Sequence, residues 1–426
     1  MRLRDGKACH DLATQLFPIC RSITGNGVRE TLSILSDSIP LKVHEVKSGT
    51  KAFDWRVPDE WNIRDAYVAN SKGERVIDFK KHTLHVVGYS EPVDRTMTRD
   101  ELENHLHSLP GQPDAIPYVT SYYRRTWGFC LSHNDRKKLS ADTYRVRIDS
   151  TLARGHLTYA DVVIPGETKE EIFFSTYICH PSMANNELSG PVLAAALAQY
   201  VALLPRRYTY RFAFIPETIG SIVYASRNLK DLQKNTVACF VLSCLGDEGR
   251  FSFIQSKHAS TYADRVARRI LKKADQRFVE YSFLQRGSDE RQYGFAGINL
   301  PTVTLCRSRF TTYPEYHTSL DNLSFVTPRG LQKSLSMLIS LVNYLESNRR
   351  YRSAVRGEPQ LGKRGLYKTD PKAAHASSFS QMLLDCLAYA DGSVDEACLC
   401  EILGVEKKTI RPVIKCLIKE KLLRVL

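Results

Sequence analysis

A chain of 426 residues is longer than one hydrophobic core usually supports, so two or three domains are expected. With 43% hydrophobic and 25% charged residues the composition excludes a disordered chain, and no apolar run reaches the roughly 18 residues of a membrane span. The formal charge of +14 is spread along the whole length, which argues less for nucleic acid than a concentrated patch would.

From the N-terminus, Leu12, Leu16 and Phe17 have helical spacing until Pro18 interrupts. Gly25-Asn26-Gly27 is a turn signal, and Val28, Leu32 and Leu35 resume a helical stripe. The charged start, Met1-Arg2-Leu3-Arg4-Asp5, does not read as a signal peptide, so a cytoplasmic protein is expected. Residues 41–147 have another texture: short alternating runs such as Thr83–Tyr89, dense prolines, and all three tryptophans, Trp55, Trp61 and Trp127. They predict a β-rich domain inserted between residues 1–40 and 148–350 of a main domain.

In that main domain, apolar strands at Glu171–Cys179, Tyr208–Ile215, Val237–Cys244 and Thr302–Cys306 alternate with helices at Gly190–Leu204 and Tyr262–Ala274. Such alternation predicts an α/β fold, a mostly parallel sheet with helices on both faces and functional residues at the carboxyl ends of its strands. Residues 351–375 have the composition of a linker, and the basic stretch from Arg349 to Lys372 reads as solvated. Residues 376–426 read as a winged-helix-like domain: a helix around Met382–Leu387, a turn at Asp391-Gly392-Ser393, helices at Val394–Leu403 and Thr409–Lys421, and a last strand from Leu422. The eleven cysteines, odd in number and scattered, are expected to be free thiols.

Four strand ends carry polar clusters. His180 follows a buried strand, with Asn186 and Glu187 ahead of a Ser-Gly helix start, a candidate metal half-site whose simpler reading is a loop histidine and a helix cap. Glu217 ends an apolar strand, where partial burial raises a carboxyl toward the range of a useful base. Asp247 lies beyond a third strand between glycines, and His317 has carboxylates nearby that can orient it. Each cluster is weak alone; their order is what carries weight.

That order resembles the zinc aminopeptidase and glutamate-carboxypeptidase-like family with co-catalytic metals. Gly287-Ser288-Asp289-Glu290-Arg291-Gln292-Tyr293, then Gly297-Ile298-Asn299-Leu300-Pro301, then Tyr316-His317-Thr318 follow one another as that family's Ser-Asp-His-x-x-Phe, Gly-Ile-Pro and Tyr-His-Thr elements do. The chain is more closely similar to an uncharacterised aminopeptidase-like branch with a β-rich insertion and a C-terminal winged helix, whose recurring words match Arg21-Ser22-Ile23-Thr24-Gly25, Trp55–Trp61 and Ile178–Ser182. The resemblance implies a metal-dependent hydrolase of aminopeptidase type. Glu217 would be the general base, and His180, Asp247 and His317 metal ligands, with Glu187 a further candidate. Asn186, Asp289, Glu290, Tyr316 or the tyrosine-rich insertion would contact a peptide or amide-containing small molecule.

Three positions depart from the pattern, Asn186 for a bridging aspartate, Thr218 for a metal glutamate and Ser182 for an aspartate. Two close zinc ions need a bridging carboxylate to offset their repulsion, so one zinc ion per chain is expected. The alternative is a catalytically degenerate ligand-binding protein that acts through its winged helix, by protein contact more than by DNA. The sequence leaves the oligomeric state, a homo-oligomer included, open.

Overall fold

The computed structural model describes residues 2–366 and 378–426, which form two compact units, residues 1–340 and 341–426. The first is built on an eight-stranded sheet. Its strands, in chain order, are β1 (Lys42–Lys47), β2 (His156–Ile164), β3 (Glu171–Tyr177), β4 (Thr209–Ile215), β5 (Thr236–Leu242), β6 (Ser252–Ile254), β7 (Val279–Tyr281) and β8 (Thr302–Cys306). The spatial order is β1-β2-β4-β3-β5-β8-β6-β7, and the four central strands, β4, β3, β5 and β8, are mutually parallel.

Those strands are central because their sequences are apolar on both faces. Every residue of β3 is buried, as a strand covered by helices on each side requires. The helices are α1 (Gly6–Leu16), α2 (Asn26–Ser36), α3 (Ser189–Ala202), α4 (Ile219–Asn235), α5 (Tyr262–Ala274) and α6 (Pro328–Ser347). At the start of α3, a Cβ on Gly190 would stand 2.2 Å from Thr176 Oγ1 and 2.5 Å from the Leu242 carbonyl. Only glycine lets this helix begin directly against β3 and β5. One buried ion pair also ties neighbouring strands: Arg211 on β4 grips Glu171 on β3 through Nε and Nη2, at 2.7 and 2.8 Å.

The inserted region forms a four-stranded sheet in the order Arg75–Asp78, Glu60–Ala69, Thr143–Ala153, Val93–Thr98. Its inward residues, among them Trp61, Val68, Val146 and Ile148, share one continuous core with Tyr159, Phe173 and Ile215 of the main sheet. The boundary expected at 41 therefore shifts. Lys42–Lys47 is the edge strand of the main sheet, antiparallel to β2, and its mostly exposed pattern hid it. Thr83–Tyr89 is a short 3₁₀ turn at Thr83–His85 followed by irregular chain, not a strand.

In the second unit, Arg350–Ser353 lies between Asp391–Asp395 and Leu423–Val425 in a three-stranded sheet. Helices Ser378–Tyr389, Glu396–Leu403 and Lys407–Lys419 close a core of Leu383, Leu399, Ile410, Val413 and Leu417. Two expectations change here. Residues 351–353 are strand rather than linker, the end of the strand Arg350–Ser353, its basic side chains having masked the alternation, with Arg350 buried. The expected turn at Asp391-Gly392-Ser393 opens a strand, with Gly392 at φ +98°. Residues 367–375 of the expected linker lie outside the described residues. All eleven cysteines are free thiols, seven of them buried. Among the described residues no helix is long and apolar enough to cross a membrane.

Candidate functional site

The four polar clusters all follow the carboxyl ends of the four parallel strands: His180 after β3, Glu217 after β4, Asp247 after β5 and His317 after β8. Each loop contains a non-glycine residue in left-handed backbone, Ser182 (φ +42°), Thr218 (φ +62°), Cys244 (φ +51°) and His317 itself (φ +56°). Such conformations cost on the order of 1 kcal/mol or more each and persist where packing imposes them, typically at working sites.

The His180 and His317 rings converge, with centroids 5.4 Å apart. Glu217 Oε2 lies 3.7 Å from His180 Nε2, and the Glu217 side chain is 22% exposed. On the other side of the His180 ring, Nδ1 is 2.6 Å from Glu187 Oε2. With Nδ1 held by that carboxylate, Nε2 is the nitrogen that faces the crevice, the usual way an imidazole is oriented for use. Beneath both sits Arg21, fully buried. Its Nε donates to the His180 carbonyl at 3.0 Å and lies 3.7 Å from Glu187 Oε1.

The electrostatics divide the two histidines. Burial works against a charged His180, but Cys179 and the Glu187 carboxylate reverse this and hold its pKa well above the usual histidine range. His317 is pushed down to about 3 by burial and then by the charge of His180, so it is a neutral donor or acceptor at ordinary pH. Burial raises Glu217 above the usual carboxylate range against the pull of His180, which suits a proton acceptor. Tyr316 stacks on His317 at 3.8 Å. From the insertion, Tyr118 packs on both imidazoles, 5.1 Å from His180 and 5.0 Å from His317. Its backbone N–H donates to the His317 carbonyl at 2.9 Å, and its hydroxyl meets that of Tyr122 at 2.5 Å.

Other candidates have different contacts. The Asp247 carboxylate is engaged on internal donors: Oδ2 accepts from Asn185 Nδ2 at 2.9 Å, and Oδ1 from Gly249 N–H at 2.6 Å and Ser308 Oγ at 2.8 Å. It braces the loop after β5, because position after a strand does not say toward which side of a turn a side chain points. Glu187 contacts the Nδ1 edge of His180, away from Nε2. Among the described residues only Cys179, His180 and Glu187 bring three metal-type ligand atoms within 4.8 Å of one another. Those atoms crowd the Nδ1 edge of the ring, with Cys179 Sγ 3.5 Å from Nδ1, and burial pushes the thiol up to about 12.

Asn186 is buried and its Oδ1 accepts from the Tyr177 hydroxyl at 3.1 Å. Asp289 and Glu290, expected to meet substrate, are completely buried. Asp289 Oδ1 accepts from the Thr218 N–H and Ser221 Oγ, both at 2.8 Å, and burial followed by the charge of Glu217 raises its pKa to about 8. Glu290 accepts from the backbone of Gly287 and Ser288 and from Thr304 Oγ1. Both carboxylates hold the loops that carry Thr218 and Ser288.

Sequence reasoning missed the roles of Arg21 and Tyr118, and of Asp321. Asp321 Oδ1 accepts from the Asn185 N–H at 2.5 Å and the Ala184 N–H at 3.2 Å, and Oδ2 from the Asn186 N–H at 2.9 Å, which fixes the turn carrying Glu187. Arg21 stands in one of the recurring words; for Tyr118 the only signal was the tyrosine content of the insertion.

His180, His317 and Glu217 converge on the crevice without bringing three ligand atoms within 4.8 Å of one another, and Asn186 and Thr218 supply no charge there.

The model of a domain-of-unknown-function family, DUF4910, matches residues 10–348, and a winged helix-turn-helix model matches residues 349–425. A Clostridium acetobutylicum protein, provisionally named a polysaccharide biosynthesis protein with aminopeptidase-like domain, is 49% identical over 364 residues, 85% of this chain and 83% of its own. A crystal structure of a provisionally assigned peptidase from the same organism superposes with a TM-score of 0.83 at 43% identity, over 99% of this chain and 96% of that one. BSAP, a zinc aminopeptidase from Bacillus subtilis, gives a TM-score of 0.58 at 13% identity, over 80% of this chain and 95% of its own, a likeness of fold alone.

Proposed function

We propose, for a chain that belongs to the DUF4910 family and ends in a winged helix-turn-helix domain, that its main domain is a hydrolase of aminopeptidase type that cleaves an amide with Glu217 as proton acceptor. The observation that carries the reading is the convergence of His180, His317 and Glu217 beyond the carboxyl ends of three parallel strands, with the imidazoles 5.4 Å apart and Glu217 3.7 Å from His180 Nε2.

His180 and His317 would hold a single zinc ion, with Glu217 beside it. When bound, zinc supplies Lewis acidity toward a carbonyl oxygen. Glu217, raised above the carboxylate range by burial, takes the proton of the attacking water and returns it to the departing amine. Glu187 and Arg21 keep the His180 ring in one orientation. Tyr118 and Tyr316 wall the crevice and exclude bulk water around the amide. The substrate class includes N-terminally free peptides and amides of small molecules, sugars among them, the Clostridium relative being named for polysaccharide biosynthesis.

Glu217→Gln, tested on such peptides and on N-acyl sugars with and without added zinc, is expected to lower turnover by about 10²-fold or more. Turnover at the wild-type level in this variant would refute the assignment of Glu217.

A second reading has its own support. Asn186 and Thr218 are neutral, and Tyr118 packs on both imidazoles, as in a ligand-binding domain that has given up catalysis. Its winged helix would then be the output, contacting a protein partner. Absence of amide turnover across the whole panel, with one ion bound, would favour it.

A further inference from the structure

Arg291 is the charged side chain in the crevice that neither metal binding nor proton transfer uses. It lies on the short helix Glu290–Tyr293, and its Nη2 donates to the Thr218 hydroxyl, one residue from Glu217. Its Nε is buried without a hydrogen-bond partner. The carboxylates next to it in sequence do not neutralise it. Asp289 Oδ1 is spent on the Thr218 N–H and Ser221, and Glu290 on Gly287, Ser288 and Thr304. Its charge reaches Glu217 and Tyr316, pulling both groups down against burial.

A guanidinium presents five donors in a planar fork and is costly to leave half-buried with one hydroxyl for company. That fork matches a planar carboxylate or a phosphate, and no donor set of this shape suits the cationic amino group of a peptide. We propose that Arg291 is a recognition residue for a compact oxyanion on the ligand, a carboxylate or a phosphate, held beside Glu217. The inference rests on the reading that this crevice is the site, and it turns the substrate preference from free amino groups toward acidic amides such as N-acylated amino acids or N-acyl sugar phosphates.

The test is a calorimetric titration of the full-length protein with N-acetylglycine, with inorganic phosphate and with the neutral N-acetylglycinamide, all at one ionic strength. One of the two anions is expected to bind at least tenfold more tightly than the amide, and which one identifies the source of the oxyanion. Arg291→Met is expected to lower that affinity at least tenfold, and Arg291→Lys to give an intermediate loss, with thermal melting confirming that each variant folds. Equal affinity for the anions and the neutral amide overturns the proposal, as does wild-type anion affinity in either Arg291 variant. Anion binding that persists in a protein hydrolysing no amide sinks the hydrolase reading and leaves this one standing; amide turnover without anion selectivity does the reverse.

Discussion

Replacing Arg21 by methionine probes the buried support of the site. The guanidinium donates to two carbonyls, His180 O at 3.0 Å and Leu16 O at 2.7 Å, and stands 3.7 Å from Glu187 Oε1. Methionine fills the space and satisfies neither carbonyl, so each loses a charged donor in a buried setting, about 1–2 kcal/mol apiece. Glu187 keeps His180 as its ion-pair partner. Removing one partner of a buried pair costs roughly 3–5 kcal/mol. Arg21 already carries a cost of its own, since burial lowers its pKa and Nη2 has no partner. The expected loss is therefore at the lower end, about 3 kcal/mol. Urea unfolding followed by tryptophan fluorescence measures it for the first unit alone, because Trp55, Trp61 and Trp127 all lie there. Paired with Glu187→Gln in a double-mutant cycle, the coupling should reach about 1–2 kcal/mol. A loss below about 1 kcal/mol for Arg21→Met, or coupling indistinguishable from zero, would refute the claim that this residue props up Glu187 and His180.

Acid should destabilise the first unit in two stages. Burial, then the neighbouring His85, holds His82 down to about 4, and its Nδ1 accepts from the Leu84 N–H, a bond that protonation breaks. The unfolded chain takes up that proton near 6.5, so stability falls as pH drops from about 6.5 to 4, by about 3 kcal/mol in total. Glu60, held near 2 chiefly by Arg29, contributes above its unfolded value of 4.5 and is lost between there and about 2. His82→Gln should lessen the slope of the upper stage, to which buried His317 also contributes, in urea titrations at stepped pH; an unchanged slope counts against it. Asp247→Asn should leave zinc content as in wild type while loosening the loop after β5, whereas His180→Ala should abolish zinc uptake in elemental analysis. Zinc lost equally in both variants would make Asp247 a ligand.

Much of the architecture was readable because the sheet is built on long apolar runs. Helix α5 and strand β8 fall where the residue pattern puts them, and β3, β4 and β5 within two residues of it. Strands β6 and β7 escaped since three residues each carry no period to detect. His180, Glu217 and His317 were legible as polar residues terminating buried strands. What could not be read was direction. Asp247 and Glu187 stand at the right distance along the chain, yet one faces Asn185 and Ser308 and the other the far side of an imidazole. Nor does sequence spacing disclose contacts made across some 160 residues, as between Arg21 and His180.

The distribution of sulfur and indole makes the two units optically separable. Seven thiols are buried, and burial takes Cys20 to about 12, which leaves Cys398, Cys400 and Cys416 of the second unit as the cysteines most open to alkylating dyes. Every indole belongs to the first unit. Energy transfer from native tryptophan to an acceptor on those thiols would report whether the winged helix moves when the crevice is filled, with no engineered cysteine.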